Sequence, residues 1–175
     1  NRTVDGCATR TETPGLVGLN HAYSLRYVYN SQAWQHDYSY GVVGQNFNPE
    51  VGFLRRSGYR NFNSRSMYTF RLGPDAPLKL HELRPHVRWS SFWDFNGFQE
   101  TSSAHIDNHW EFKNGTEIHT GMNLKTEGVT DAFNIMPGIV VPPGTYDHKE
   151  MQLVVMTSQA LPWSVQLYTW AGGAW

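Results

Sequence analysis

Residues 104–113, Ala-His-Ile-Asp-Asn-His-Trp-Glu-Phe-Lys, alternate between two kinds of side chain and indicate the fold class. Ile106, Trp110 and Phe112 share one side of an extended chain, while the odd-numbered residues are all charged or histidine. Because successive side chains of a strand point to opposite faces, this period of two predicts a β-strand with one apolar and one polar face.

The same alternation recurs along most of the chain. Clear runs occupy residues 21–29, 34–43, 65–72, 86–95 and 117–125, and weaker runs occupy 150–157 and 163–170. No segment has the apolar stripe of an amphipathic helix, and Gly, Pro and Asn residues separate the runs. The chain is therefore predicted to be all-β. We expect an antiparallel meander of about eight strands, forming a barrel or barrel-like sheet, with a β-sandwich as the alternative.

The domain organisation is predicted to be simple. Residues 1–20 are rich in Thr, Gly and Asn and show no period, which indicates an N-terminal loop or arm. Residues 21–175 then form one antiparallel β domain, a size that fits a single unit.

The hairpin that follows residues 104–113 has a predicted register. A three-residue loop at 114–116, with Gly115 in the left-handed conformation, pairs Phe112 with Ile118 and keeps each face of the sheet uniform.

Composition excludes several classes of protein. Fourteen basic and fifteen acidic residues give a formal charge of −1, so nothing indicates a nucleic-acid partner. Cys7 is the only cysteine, which excludes an internal disulfide. Seven Trp, nine Tyr and nine Phe are many for a soluble domain, although sugar-binding domains and the girdles of membrane barrels use such residues.

Three stretches resemble motifs of one bacterial protein family, and they follow each other in that family's order. Residues 41–60 turn through Asn48-Pro49 and enter a cluster of arginines, residues 110–115 are similar to its Trp-x-x-x-x-Gly hairpin, and residues 133–146 end in Pro-x-Gly-x-Tyr. The proteins of that family join a carbohydrate-binding domain of the family-nine type to a C-terminal outer-membrane-type β-barrel. This chain resembles part of the barrel region.

The resemblance implies a role in the bacterial envelope. The chain is expected to form part of an outer-membrane-type barrel, as a non-enzymatic wall, channel or ligand-binding surface, with outer-membrane lipid or a carbohydrate as its partner. One alternative is a secreted, soluble β-sandwich that binds carbohydrate, and a third is a β-rich metalloenzyme. No phosphate-binding glycine loop, Gly-x-Ser-x-Gly elbow or His-Glu-x-x-His motif is present, which favours a non-enzymatic role.

Two groups of residues are candidates for binding a ligand. Trp89 and Trp93 lie four residues apart on one strand face, where aromatic rings suit either a sugar chain or a membrane interface. Arg55, Arg56 and Arg88 belong to a run rich in arginine, the residue that binds carboxylate and phosphate through two hydrogen bonds. The alternative is that these arginines pair with acidic side chains of the same chain.

Weak candidates for metal ligands fall on one strand face and its neighbour. They are His105, Asp107, His109 and His119, which are ligand types for zinc or iron. Alternate residues of a strand stand roughly 6.5–7 Å apart, and this spacing matches no established metal motif. The sequence therefore predicts a polar, hydrogen-bonded cluster without metal, and no cofactor.

Overall fold

A computed structural model describes residues 1–173, and the end of the predicted domain, residues 174 and 175, lies outside that range. The described chain is all-β, with strands numbered in chain order. They are β1 (Arg2–Arg10), β2 (His21–Asn30), β3 (Trp34–Val43), β4 (Tyr59–Tyr68), β5 (Phe70–Arg71), β6 (Leu80–Trp93), β7 (Gln99–Phe112), β8 (Glu117–Val129), β9 (Phe133–Met136), β10 (Ile139–Val141), β11 (Gly144–Met156) and β12 (Gln166–Gly172).

Ten of these strands form one antiparallel sheet whose order follows the chain. The path runs β1-β2-β3-β4-β6-β7-β8-β11-β12, β5 pairs with β6, and β9 and β10 form a separate hairpin. The predicted all-β antiparallel meander is confirmed. Within residues 1–173 the sheet is not closed, with β1 and β12 as its edges, and this architecture is compatible with a barrel-like sheet or a sandwich.

The N-terminal segment contains two different structures. Arg2–Arg10 forms β1 and pairs with β2 along its whole length, from Arg2 opposite Tyr29 to Arg10 opposite His21. Residues 11–20 form the connection to β2. Gly6 and Ala8 fall on the same face as Val4, so this strand shows little of the alternation that marks the others.

The hairpin between β7 and β8 corrects the predicted register. Phe112 bonds Thr116 through its backbone N–H, and Trp110, not Phe112, lies opposite Ile118. The loop does have three residues, but it is 113–115, one position earlier than predicted. Gly115 takes a φ of 79° and must be the last loop residue, because the left-handed conformation there closes the turn.

One short turn of 3-10 helix, Pro77–Lys79, precedes β6. In the part of the chain described here, no helix has the length and apolar character required to cross a membrane.

The two sides of the sheet differ in chemistry. The polar face is defined by Asp37, Arg65, His86, Asp107 and Glu150. The apolar face is defined by Tyr27, Tyr40, Trp89, Ile106 and Met151.

The polar face is the less exposed of the two across the centre of the sheet. Ile106 is 47% exposed, whereas the next residue, Asp107, is 5% exposed. In the same way Val87 is exposed and His86 is half-buried, and β11 shows the same order. Among the described residues only four apolar side chains are buried, so neither face carries a large apolar core.

Candidate functional site

Five residues meet at the centre of the polar face and are called the histidine cluster. His86 of β6 lies directly opposite Asp107 of β7, and His109 of β7 lies directly opposite His119 of β8. His105 completes the group, two residues before Asp107 on the same face of β7. The structure thus brings together all four residues that the sequence suggested and adds His86.

The imidazole rings of the cluster are in contact. The centroid of the His86 ring is 5.3 Å from that of His105 and 5.0 Å from that of His109. His109 and His119 stack with centroids 3.6 Å apart and planes 5° from parallel. These ring contacts hold the imidazole rings close to Asp107.

The carboxylate of Asp107 is buried and makes no hydrogen bond to any residue of the range 1–173. Its Oδ2 atom lies 3.5 Å from Nε2 of His105 and 3.5 Å from Nε2 of His109, which is long for a hydrogen bond. Its Oδ1 atom is buried and has no hydrogen-bond partner among the described residues. Gly121 lies directly opposite on β8, and a Cβ atom there would come within 3.2 Å of the Asp107 carboxyl carbon. A glycine at this position leaves room for the carboxylate.

Hydrogen bonds orient two of the histidine rings. His105 Nδ1 is 2.7 Å from Oδ1 of Asn123, and His86 Nδ1 is 3.4 Å from the carbonyl oxygen of Arg84. Because both partners are oxygens that only accept, each Nδ1 donates its hydrogen. The Nε2 atoms of His86 and His105 therefore keep a lone pair that can bind another group.

Arg84 links three carboxylates beside the cluster. Its guanidinium lies 3.6 Å from Glu82, 3.3 Å from Glu111 and 3.2 Å from Glu117. Glu117 also accepts a hydrogen bond of 3.1 Å from Nε2 of His119. The network ties β6, β7 and β8 together on the polar face.

Further ion pairs occupy the polar face on either side of the cluster. Arg26 donates two hydrogen bonds to Asp37, at 2.9 and 2.5 Å. The carboxylate of Glu150 lies 3.0 Å from Nζ of Lys125 and 3.0 Å from Nε2 of His148. Charged side chains of opposite sign are therefore paired across neighbouring strands along much of this face.

The two tryptophans suggested as ligand residues lie on the apolar face. Their ring centroids are 6.2 Å apart and the ring planes stand at 81°, so they do not form one flat platform. The indole N–H of Trp89 donates to Ser102, and its ring packs against Phe62 with centroids 5.5 Å apart. A role in sugar stacking stays a prediction.

The three suggested arginines do not form one group: Arg55 and Arg56 are consecutive residues between β3 and β4, whereas Arg88 lies within β6. Arg88 is on the polar face, opposite His105, whereas Trp89 points to the other side of the sheet. Arg56 contacts Glu100 at 2.7 Å and lies over an aromatic ring at the end of the sheet. Arg55 is exposed in the connection between β3 and β4. The structure therefore does not bring these residues into one binding site with the tryptophans.

His86 and Asn123 are the residues that sequence reasoning missed. Both belong to alternating strands, so their face was predictable. Their position along the neighbouring strand depends on the lengths of two hairpin loops, and those lengths set His86 opposite Asp107 and Asn123 opposite His105. Predicting these two residues requires the correct register of both hairpins.

Comparison with models of known protein families, with curated proteins and with solved structures finds no match to this chain. The candidate site rests on its own geometry.

Proposed function

We propose that this chain forms part of the wall of an outer-membrane-type β-barrel in a bacterial envelope. The apolar face lies against lipid and the polar face lines the interior. The chain acts as a structural wall or channel surface and is not an enzyme.

One observation carries the proposal, namely the exposure of the two faces. A soluble sheet protein hides its apolar face and leaves its polar face in water. Here the centre of the polar face is more hidden than the apolar face, as Asp107 and Ile106 show. A wall strand of a membrane barrel has this arrangement, with apolar side chains outward and polar side chains in the lumen.

The size of the exposed apolar surface supports the same placement. Leu25, Ile106, Met151, Leu153 and Leu167 are each at least 42% exposed on that face. Soluble monomers rarely leave apolar patches larger than a few hundred Å² in water. Contact with lipid would avoid the unfavourable free energy of exposing this apolar surface to water.

Strand length and polar pairing also fit a membrane wall. The long strands of the sheet contain between nine and fourteen residues, and a membrane-spanning strand needs about 9–11. The ion pairs of Arg26, Arg84 and Lys125 keep charge in balance inside a lumen. Backbone groups at β1 and β12 would have to be paired in a bilayer, so the proposed wall is completed by further strands at these edges.

Solubility of the purified protein tests this proposal. We expect it to hold its antiparallel sheet in detergent micelles or lipid vesicles, and to aggregate when the detergent is removed. Far-ultraviolet circular dichroism and light scattering measure both. A monodisperse monomer in plain buffer, with the same sheet signal, would contradict the membrane placement and favour the soluble carbohydrate-binding alternative.

A further inference from the structure

We propose that His86, His105 and Asp107 bind one divalent transition-metal ion on the polar face. Their ligand atoms all lie within 4.8 Å of one another, and the three residues come from the adjacent strands β6 and β7. The inference holds whether the apolar face meets lipid or another surface, because it depends on the polar face alone.

The first argument is the state of Asp107. A buried carboxylate needs hydrogen bonds or a cation to offset the loss of its hydration. Within residues 1–173 the Oδ1 atom of Asp107 has no hydrogen-bond partner, and its Oδ2 atom is 3.5 Å from the Nε2 atoms of His105 and His109. A metal ion between the carboxylate and the imidazoles supplies the missing positive charge.

The second argument is the distance between ligand atoms. Zinc binds imidazole nitrogen and carboxylate oxygen at about 2.0–2.2 Å, so two ligands of a tetrahedral ion lie about 3.4 Å apart. The separation of 3.5 Å between His105 Nε2 and Asp107 Oδ2 fits that value. It is too long to be a strong hydrogen bond and is suited to two ligands of one ion.

The third argument is the orientation of the rings. Asn123 accepts from Nδ1 of His105, and the Arg84 carbonyl accepts from Nδ1 of His86, which leaves both Nε2 atoms ready to bind. Partners of this kind fix the tautomer of histidines that bind metals and are part of a working site. Asn123 is itself held, since its amide nitrogen lies 3.4 Å from Glu150.

A second group, Asp107 with His109 and His119, shares the same carboxylate. It is less suited to a single ion because its rings are nearly parallel and 3.6 Å apart. The nitrogen lone pairs lie in the ring planes, so two such rings do not aim at one point. His119 also uses its Nε2 atom on Glu117. We therefore assign the ion to His86, His105 and Asp107, with its remaining coordination positions open to the polar face.

Zinc titration of the metal-stripped full chain tests the assignment. The measurements use a Cys7→Ser background and a solvent in which the chain is folded, with a coloured chelator as competitor. We expect one ion per chain. His105→Gln and Asp107→Asn should each lower the affinity by at least about 100-fold, and Asn123→Ala by about 10–100-fold.

Two histidine variants serve as controls. His81→Gln removes an exposed histidine, and His119→Gln removes a member of the second group, and both should keep the affinity of the parent chain. Circular dichroism checks that each variant is folded, and the visible spectrum of bound Co²⁺ should change in His86→Gln. Binding that survives Asp107→Asn, or that falls as much in His119→Gln as in His105→Gln, would overturn the assignment. So would the lack of any stoichiometric ion.

Discussion

Ile106 and Asp107 are consecutive residues of β7, yet the isoleucine is 47% exposed and the aspartate is 5% exposed. Their side chains point to opposite faces of one sheet, so the difference is a difference between the faces. A free sheet in water would favour the reverse order, because burying a carboxylate and exposing a large aliphatic chain both cost free energy. The proposed contact of the apolar face with lipid would account for this order of exposure.

A charge placed on the apolar face should destabilise the protein in a bilayer. Trp89 is 36% exposed there and lies within β6. Trp89→Arg should lower the free energy of unfolding in vesicles by roughly 2–4 kcal/mol if the residue is near the bilayer midplane. Urea titration followed by tryptophan fluorescence measures the change.

Two matched variants separate charge from the loss of the indole ring. Trp89→Leu keeps an apolar side chain at the same site, and Ser103→Arg places the same charge at an exposed position on the polar face of β7. Both should change the free energy of unfolding by less than Trp89→Arg does. Equal losses in Trp89→Arg and Ser103→Arg would show that the faces do not differ in their surroundings.

The loop at 113–115 depends on its glycine. Gly115 has a φ of 79°, and a Cβ atom there would lie 2.7 Å from Oγ of Ser158. Gly115→Ala should cost about 1–2 kcal/mol in backbone strain, with a further loss from the contact. Gly138→Ala is the control, because Gly138 has a φ of 81° and nothing within 4 Å of the added atom. If thermal unfolding shows the same loss for both, Ser158 does not restrict the site.

Arg84 should matter more than other arginines of the polar face. The side chain of Arg84 is 25% exposed and contacts three carboxylates. The side chain of Arg71 is 60% exposed and contacts only one of those three, Glu82. Arg84→Gln leaves like charges together and should lower the free energy of unfolding by about 1.5–3 kcal/mol. Arg71→Gln should cost at most about 1 kcal/mol. Denaturant titration of both variants gives the comparison, and a larger loss for Arg71→Gln would contradict the assignment of Arg84 as the centre of the network.

Much of the sheet was predictable because the alternation of side chains is a local signal. The runs at 34–43 and 117–125 became β3 and most of β8. β1 and the start of β4 lack a clear alternation, so their own sequences do not predict strands. They are strands because they pair with β2 and β3. Such pairing is non-local, so a pattern within one segment does not report it.

The candidate site was predictable in its residue types and less so in its geometry. The odd positions of β7 place His105, Asp107 and His109 on one face whatever the neighbouring strand does. The position of His86 depends on the register between β6 and β7, and the loop before β8 proved one residue earlier than expected. The sequence does not predict that the polar face is the more buried one, because an alternating strand shows the same pattern whichever of its faces is exposed.

Labelling two positions of β7 tests the central claim most directly. Ile106→Cys and Ser103→Cys, each in a Cys7→Ser background, carry a fluorescent label on the apolar and the polar face of the same strand. In vesicles, brominated acyl chains should quench the label at position 106 and spare the one at 103, while aqueous iodide should do the reverse. Quenching of both labels by iodide, with no effect of brominated lipid on either, would contradict a lipid-facing apolar surface.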